Sequence, residues 1–165
     1  MIIVSDTTPI ISLSKIERLD LLQKLFEKIM VPRAVYNELT SNKQFQEEAK
    51  VINDAEYIKV VEVEDLKAVE LLQRATGLDL GEAEAIIYTD SYKAGLLLID
   101  EIKGRKVAKQ MGISVMGTIG ILMAAYDEKF ISAYEIKEYI EIMKNVGRHI
   151  SDKLYGQLLD LIGEL

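Results

Sequence analysis

The residues of this chain best suited to chemistry are acids placed where solubility does not require an acid. Asp6 closes the apolar run Ile2-Ile3-Val4-Ser5, and Asp100 closes Leu96-Leu97-Leu98-Ile99. Both runs read as strands buried on two faces of a parallel sheet. Parallel strands bring both carboxylates to one sheet edge, where open α/β sheets hold their ligands. Glu38 follows Val35 by three residues and precedes Leu39, so on a helix it borders the buried face. Glu82 stands in the first turn of a helix that continues with Ala83, Ala85, Ile86 and Ile87. Four carboxylates converging on one edge repel one another unless a cation neutralises them. All-oxygen ligation selects Mg²⁺ or Mn²⁺, which activates water and stabilises charge on a phosphoryl group. The pattern predicts phosphodiester hydrolysis, with Asp6, Glu38, Glu82 and Asp100 as the catalytic and metal-binding set.

What the chain lacks supports that chemistry. There is no cysteine and His149 is the only histidine, so thiolate sites, histidine zinc sites and most serine–histidine catalysis lack their parts. A net charge of −7 argues against a broad nucleic-acid surface but not against a local basic patch. Lys103, Arg105, Lys106 and Lys109 follow directly on Asp100. They form either a solvated helix face or a phosphate clamp of Lys103, Arg105 and Lys106, with Arg105 suited to bidentate contact. No apolar run approaches the roughly 20 residues that span a bilayer. The chain opens directly on a strand with no leader pattern, and a cytoplasmic location is expected.

Each acid also has a plainer reading. Asp6 could only cap the helix that follows, although Thr8 can cap it too, with Pro9 at its first position. Asp79-Leu80-Gly81-Glu82 has capping-box spacing. Glu82 and Glu84 lie about 200° apart on a helix, so only one of them faces a given metal. Glu101 faces away from Asp100 if the strand continues. Gly117-Thr118-Ile119-Gly120 lacks the lysine of a phosphate loop and reads as a tight strand-to-helix turn.

The elements that must position these residues alternate. Strands are predicted at 2–5, 29–31, 57–63, 96–99 and 113–116. Helices are predicted at 9–17, 19–26, 32–40, 44–54, 65–75, 79–93, 103–111 and 117–126. Two more follow, one from the capping box Ser132-Ala133-Tyr134-Glu135 and one capped by Ser151. The expectation is a three-layer α/β/α domain with a parallel sheet of four to five strands over 1–126. Residues 127–165 form a helical extension packed on the same domain. Two apolar stripes in that tail (Ile136, Tyr139, Ile140 and Met143; Leu154, Leu158, Leu161 and Ile162) serve either the core or a homodimer, and a homodimer is expected.

The sequence resembles PIN-domain proteins of the archaeal and bacterial branch whose members are catalogued as a domain of unknown function. The resemblance is carried by IIVSDTTPIISLSKI (2–16), VPRAVYNEL (31–39), GEAEAII (81–87), LLLIDEIKGRKVAKQMG (96–112), VMGTIGILMAA (115–125) and NVGRHISDKLYGQLL (145–159). It implies an α/β/α fold, Mg²⁺- or Mn²⁺-dependent ribonuclease activity on RNA, and kinship with toxins of toxin–antitoxin pairs, hence an antitoxin partner. The acid ending the first strand matches Asp6, and the acid in the helix after the second strand matches Glu38. The third matches Glu82 or Glu84, and the fourth matches Asp100 or Glu101. The third acid is a glutamate where the toxins usually carry aspartate, and the pair at 100–101 is slightly out of register. These departures set a catalytically weak RNA- or protein-binding module beside the nuclease. A phosphatase with Asp6 as nucleophile is a further rival, but it normally needs an aspartate where Thr8 stands.

Overall fold

The structure is a computed structural model that describes residues 1–147, 152–161 and 163. Five short strands form the centre: β1 (Ile3–Ser5), β2 (Ile29–Pro32), β3 (Ile58–Val61), β4 (Leu96–Leu98) and β5 (Val115–Met116). All pair in parallel, in the order β3-β2-β1-β4-β5. The connection after β1 runs to one side of it and β4 lies on the other, so the order reverses between β1 and β4. That reversal opens a crevice at the carboxyl ends of β1 and β4, the usual ligand position in such sheets. This is the α/β arrangement expected, with five strands.

Strand alternation divides the core into two layers. Ile3, Ile29, Val31 and Leu98 face a cluster containing Ile10, Leu13, Leu21, Leu22, Ile121 and Leu122. These come from α1 (Thr7–Lys15), α2 (Asp20–Phe26) and α8 (Thr118–Asp127). Val4, Leu97 and Ile99 face the other way, onto Val69, Ala83, Ile86 and Ala108. Those belong to α5 (Leu66–Thr76), α6 (Leu80–Ser91) and α7 (Ile102–Gln110). Between β2 and β3 lie α3 (Arg33–Ser41), a single 3-10 turn (Lys43–Phe45) and α4 (Gln46–Asp54). Helix α6 is buried on nearly every side, because its small residues Gly81, Ala83 and Ala85 let α3, α5 and the sheet pack closely around it.

Two boundaries differ from expectation for physical reasons. The first helix begins at Thr7, not at Pro9, with Asp6 in the N-cap position. The Asp6 N–H still pairs with the Leu98 carbonyl at 2.9 Å, so the sheet holds the chain through Asp6 before it turns. Pro9 then falls inside the first turn, where its missing N–H has no partner to lose. Strand β3 is shorter than 57–63, since past Val61 the chain leaves the edge of the sheet.

After α8 the chain forms α9 (Ala133–Asn145) and α10 (Asp152–Leu161). The α9 stripe of Ile136, Tyr139, Ile140 and Met143 is buried in the same cluster as α1 and α2, as is Leu158 of α10. That stripe is therefore consumed within one chain and offers no dimer surface. Ser151, Ile162 and the Arg148-His149 pair lie outside the described residues, as do the side chains of Leu154 and Leu161. Arg18 fastens α9 from across the fold, donating to the Tyr139 hydroxyl at 2.7 Å and to Glu135 at 3.4 Å. The capping box is formed: Ser132 accepts from the Glu135 N–H at 3.1 Å and Glu135 accepts from the Ser132 N–H at 3.0 Å. Ser132→Ala removes the first of these bonds and loosens the helix that Arg18 anchors. The expected loss is about 1 kcal/mol in chemical denaturation, with an unchanged slope.

Candidate functional site

Asp6 sits at the bottom of the crevice, 4% exposed, at the end of the central strand. It occupies the N-cap position of α1, yet its side chain makes no capping hydrogen bond. The geometry therefore does not support a capping role for this acid. Burial pushes its pKa up from 3.8 to about 7, and the negative charges of Glu82, Asp79 and Glu38 push the same way. The Thr7 backbone N–H opposes the shift. Three predicted site residues, Asp6, Glu38 and Glu82, thus share one electrostatic environment, and Asp79 joins them.

Each neighbour is held by its own element. Glu38 extends from α3, and its Oε2 accepts from the Thr7 hydroxyl at 3.1 Å, which draws it to the residue beside Asp6. Glu82 and Asp79 form the capping box of α6: the Glu82 N–H donates to Asp79 at 2.8 Å, and the Asp79 N–H donates to Glu82 at 3.1 Å. Capping and proximity to Asp6 are compatible here, because both belong to the first turn of one helix. A methyl group on Gly81 would lie 3.4 Å from Glu38 Oε2 and 3.6 Å from Asp79 Oδ1, so the two carboxylates flank the bare Gly81 backbone. Partial burial raises the Glu82 pKa, with Asp79 and Glu101 adding to the shift and the Asp79 N–H and Lys103 opposing it.

Glu84, Asp100 and Glu101 take separate directions. Glu84 points to α3, where it accepts from the Ala34 N–H at 3.0 Å. Asp100 turns toward α8. Its Oδ1 accepts from the Thr118 N–H at 2.7 Å and its Oδ2 from the Thr118 hydroxyl at 2.6 Å. The N-cap residue of α8 is Gly117, which has no side chain to do this. Gly117 also makes room: a Cβ there would lie 2.8 Å from Asp100 Oδ1 and 3.1 Å from an Arg105 guanidinium nitrogen. Glu101, the less favoured of its pair on sequence, is the member whose charge reaches Glu82.

The basic run divides as well. Arg105 donates to the Ile99 carbonyl at 2.9 Å, which commits one edge of its guanidinium to the end of β4. With Ile102, Lys106, Lys109 and Gln110 it lines a shallow groove of about 440 Å³. Lys103 instead places its ammonium beside Gly77, on the side of α7 that faces Glu82.

Among the described residues, no three acidic or imidazole side chains stand close enough together to hold a cation. The donor set nevertheless suits a hard divalent ion: it is all oxygen, and its central member lies buried in the field of three like charges. Sequence reasoning takes Asp79 only as a cap and misses Thr7. The place of Asp79 two residues before Gly81, at the mouth of a buried helix, is the signal that could have found it. Nothing in the spacing marks Thr7, because its contact with Glu38 spans thirty-one positions.

With this geometry in view, comparison with known proteins identifies the family. The family model described as DUF3368, a PIN domain, matches residues 2–164, so the chain belongs to that family. PIN domains are generally nucleases and generally use divalent metal ions. The search of curated proteins found no match.

The raised Asp6 pKa has a consequence that can be measured without any substrate. Its folded value of about 7 exceeds its ordinary value of 3.8, so the folded state binds the proton more tightly than the unfolded state does. This contribution to stability is full below about pH 4 and is lost as pH rises through about 7. The metal-free protein should therefore lose a few kcal/mol between those limits, and Asp6→Asn should flatten the profile and melt higher at pH 8. Identical slopes for wild type and Asp6→Asn in pH-dependent denaturation would show that Asp6 is not the strained group.

Proposed function

We propose that this PIN-domain chain is a divalent-metal-dependent endoribonuclease, and the observation that carries the reading is the burial of Asp6 among three further carboxylates. Asp6, Glu38 and Glu82 would hold Mg²⁺ or Mn²⁺. Asp100 is turned to Thr118 and would join them only through the lone pairs left free on its two oxygens. When bound, such an ion supplies a water of lowered pKa and stabilises charge on a phosphoryl group.

The chain's own residues do the rest. Thr7 holds Glu38 beside Asp6 through its hydroxyl. The Asp79–Glu82 box fixes the start of α6, so Glu82 enters the site from a rigid turn. Without an ion, Asp6 stands near its midpoint at neutral pH, and a bound cation would hold it ionised. The groove of Arg105, Lys106 and Lys109 starts near Asp100, since the Asp100 carboxylate and the Arg105 guanidinium both flank Gly117, and it would offer phosphate contacts to an RNA strand. Lys103 stands on the other side of α7, where it offsets part of the charge on Glu82.

The wide spacing of the acids favours a second reading, a PIN module that binds RNA or protein and cleaves poorly. The two readings differ in metal affinity. The nuclease reading expects Mn²⁺ at about a hundred times its dissociation constant to stabilise the protein by roughly 2.7 kcal/mol. It also expects Asp6→Asn and Glu38→Gln to abolish that gain together with cleavage of a short labelled RNA, while Glu17→Gln, on an exposed turn, leaves both intact. An Asp6→Asn variant that cleaves at the wild-type rate would sink the metal-site proposal. Equal metal-induced stabilisation in all four proteins would place the cation elsewhere.

Partners rest on the family resemblance. An antitoxin protein and a homodimer are proposed with the α9 stripe excluded as the contact, since it is buried within the chain. Light scattering should give about twice 18.6 kDa at micromolar concentration, and the monomer mass at all concentrations would reject the dimer.

A further inference from the structure

Glu84 is the acid of α6 that turns away from Asp6, and its surroundings give it separate work. It is 9% exposed, a costly position for a carboxylate without a partner. The partner is the Ala34 N–H, which donates to Glu84 Oε1 at 3.0 Å. Ala34 is the second residue of α3, whose N-cap position is filled by Pro32. Proline has no side-chain acceptor, and no side chain at that position caps the helix. The amides of a first helical turn have no partner within their own helix, and the positive end of the helix dipole lies there. Glu84 reaches across from α6 and supplies both the acceptor and the negative charge.

What depends on that contact is the placement of Glu38. Glu38 lies four residues after Ala34, one turn along the same face of α3. The start of α3 therefore sets the height and rotation at which Glu38 meets the Thr7 hydroxyl beside Asp6. We infer that Glu84 is a positioning residue that docks the start of α3 onto α6 and thereby aligns Glu38 with Asp6, and that it is not a metal ligand. Two carboxylates of one helix then serve one site by different routes. Glu82 faces the crevice, and Glu84, on the far side of the same turn, holds the neighbouring helix that delivers Glu38. The role as an aligner of a metal site rests on the reading of Asp6 and Glu38 given above, whereas the docking of α3 does not.

The test compares Glu84→Gln with Glu84→Ala, using Asp6→Asn as the reference for a lost ligand. Glutamine keeps an acceptor oxygen at the same reach, and alanine removes it. In metal-free protein, amide hydrogen exchange at Ala34 and the rest of the first turn of α3 should quicken at least tenfold in Glu84→Ala and return to near wild type in Glu84→Gln. In titrations with MnCl₂ alone, Glu84→Ala should bind roughly 10–100-fold more weakly, and Glu84→Gln should recover most of that loss. Unchanged exchange in α3 of Glu84→Ala would remove the docking role. A Glu84→Gln variant that loses Mn²⁺ binding as completely as Asp6→Asn would make Glu84 a ligand and overturn the assignment. If wild type binds no Mn²⁺, the nuclease reading fails, while the exchange measurement still decides whether Glu84 docks α3. If Glu84→Ala does not fold, Glu84→Gln still separates acceptor from charge.

Discussion

A carboxylate held almost out of water in the field of three others is the constraint on which this structure turns. Asp6 is there because β1 is the middle strand of a sheet whose order reverses next to it, and the chain must leave that strand at the crevice. The Asp6 N–H remains paired with β4, so the residue cannot move outward to solvate its charge. The elements around it work against easy accommodation of a negative group. Burial dominates the raised pKa, and the neighbouring acids add to it. A core built for stability alone would place an apolar or neutral side chain at this point, since an uncompensated buried charge is strongly unfavourable. Local rules of this kind are broken mainly at functional sites.

The remaining acids of the region show how the fold separates structural duty from strain. Near the site, α3 begins at Pro32 and α8 at Gly117, residues whose side chains offer no cap. Each borrows a carboxylate from another element, Glu84 for α3 and Asp100 for α8. Helix α6 caps itself with Asp79 and Glu82. Every one of these carboxylates accepts from a backbone N–H at a helix start, where negative charge is favoured. Asp6 also stands at a helix start, where the Thr7 N–H acts on it, yet its side chain makes no capping hydrogen bond to the turn that follows. It is set apart from its neighbours by what it does not cap, not by residue type.

Much of this is legible in the sequence, and the reasons differ by element. The buried runs before Asp6 and Asp100 identify the central strands, because a short, continuous apolar run ending in an acid is the pattern of a doubly covered strand that meets the ligand edge of its sheet. The two capping boxes mark the starts of α6 and α9, since that signal lies wholly within four residues. The cue of Thr8 and Pro9 puts the first helix two residues late, because it is local while the Asp6 pairing with Leu98 is not. Side-chain direction is the least legible quantity. Helical geometry says that Glu82 and Glu84 point apart but not which one faces Asp6. That depends on how α6 lies between α3 and the sheet. The choice between Asp100 and Glu101 stays open on sequence for the same reason, since the strand ends at Leu98 and alternation no longer governs the acids beyond it.

The distribution of charge ties the site to its proposed substrate class. The chain carries −7 overall, so an RNA strand gains little from long-range attraction. What basic density exists near the site lies along α7, and the fold divides it. Arg105 spends part of its fork on the Ile99 carbonyl, which secures the end of β4 and leaves Lys106 and Lys109 as the unrestrained charges of the groove. Lys103 is turned toward Glu82, where it offsets a fraction of the acid cluster. One ammonium group cannot balance Glu38, Asp79, Glu82 and an ionising Asp6. On the proposed reading, the same like-charge repulsion that adds to the raised Asp6 pKa also opposes a phosphodiester entering the crevice. On that reading a divalent ion would relieve both at once, and metal affinity and substrate access would draw on a single electrostatic source.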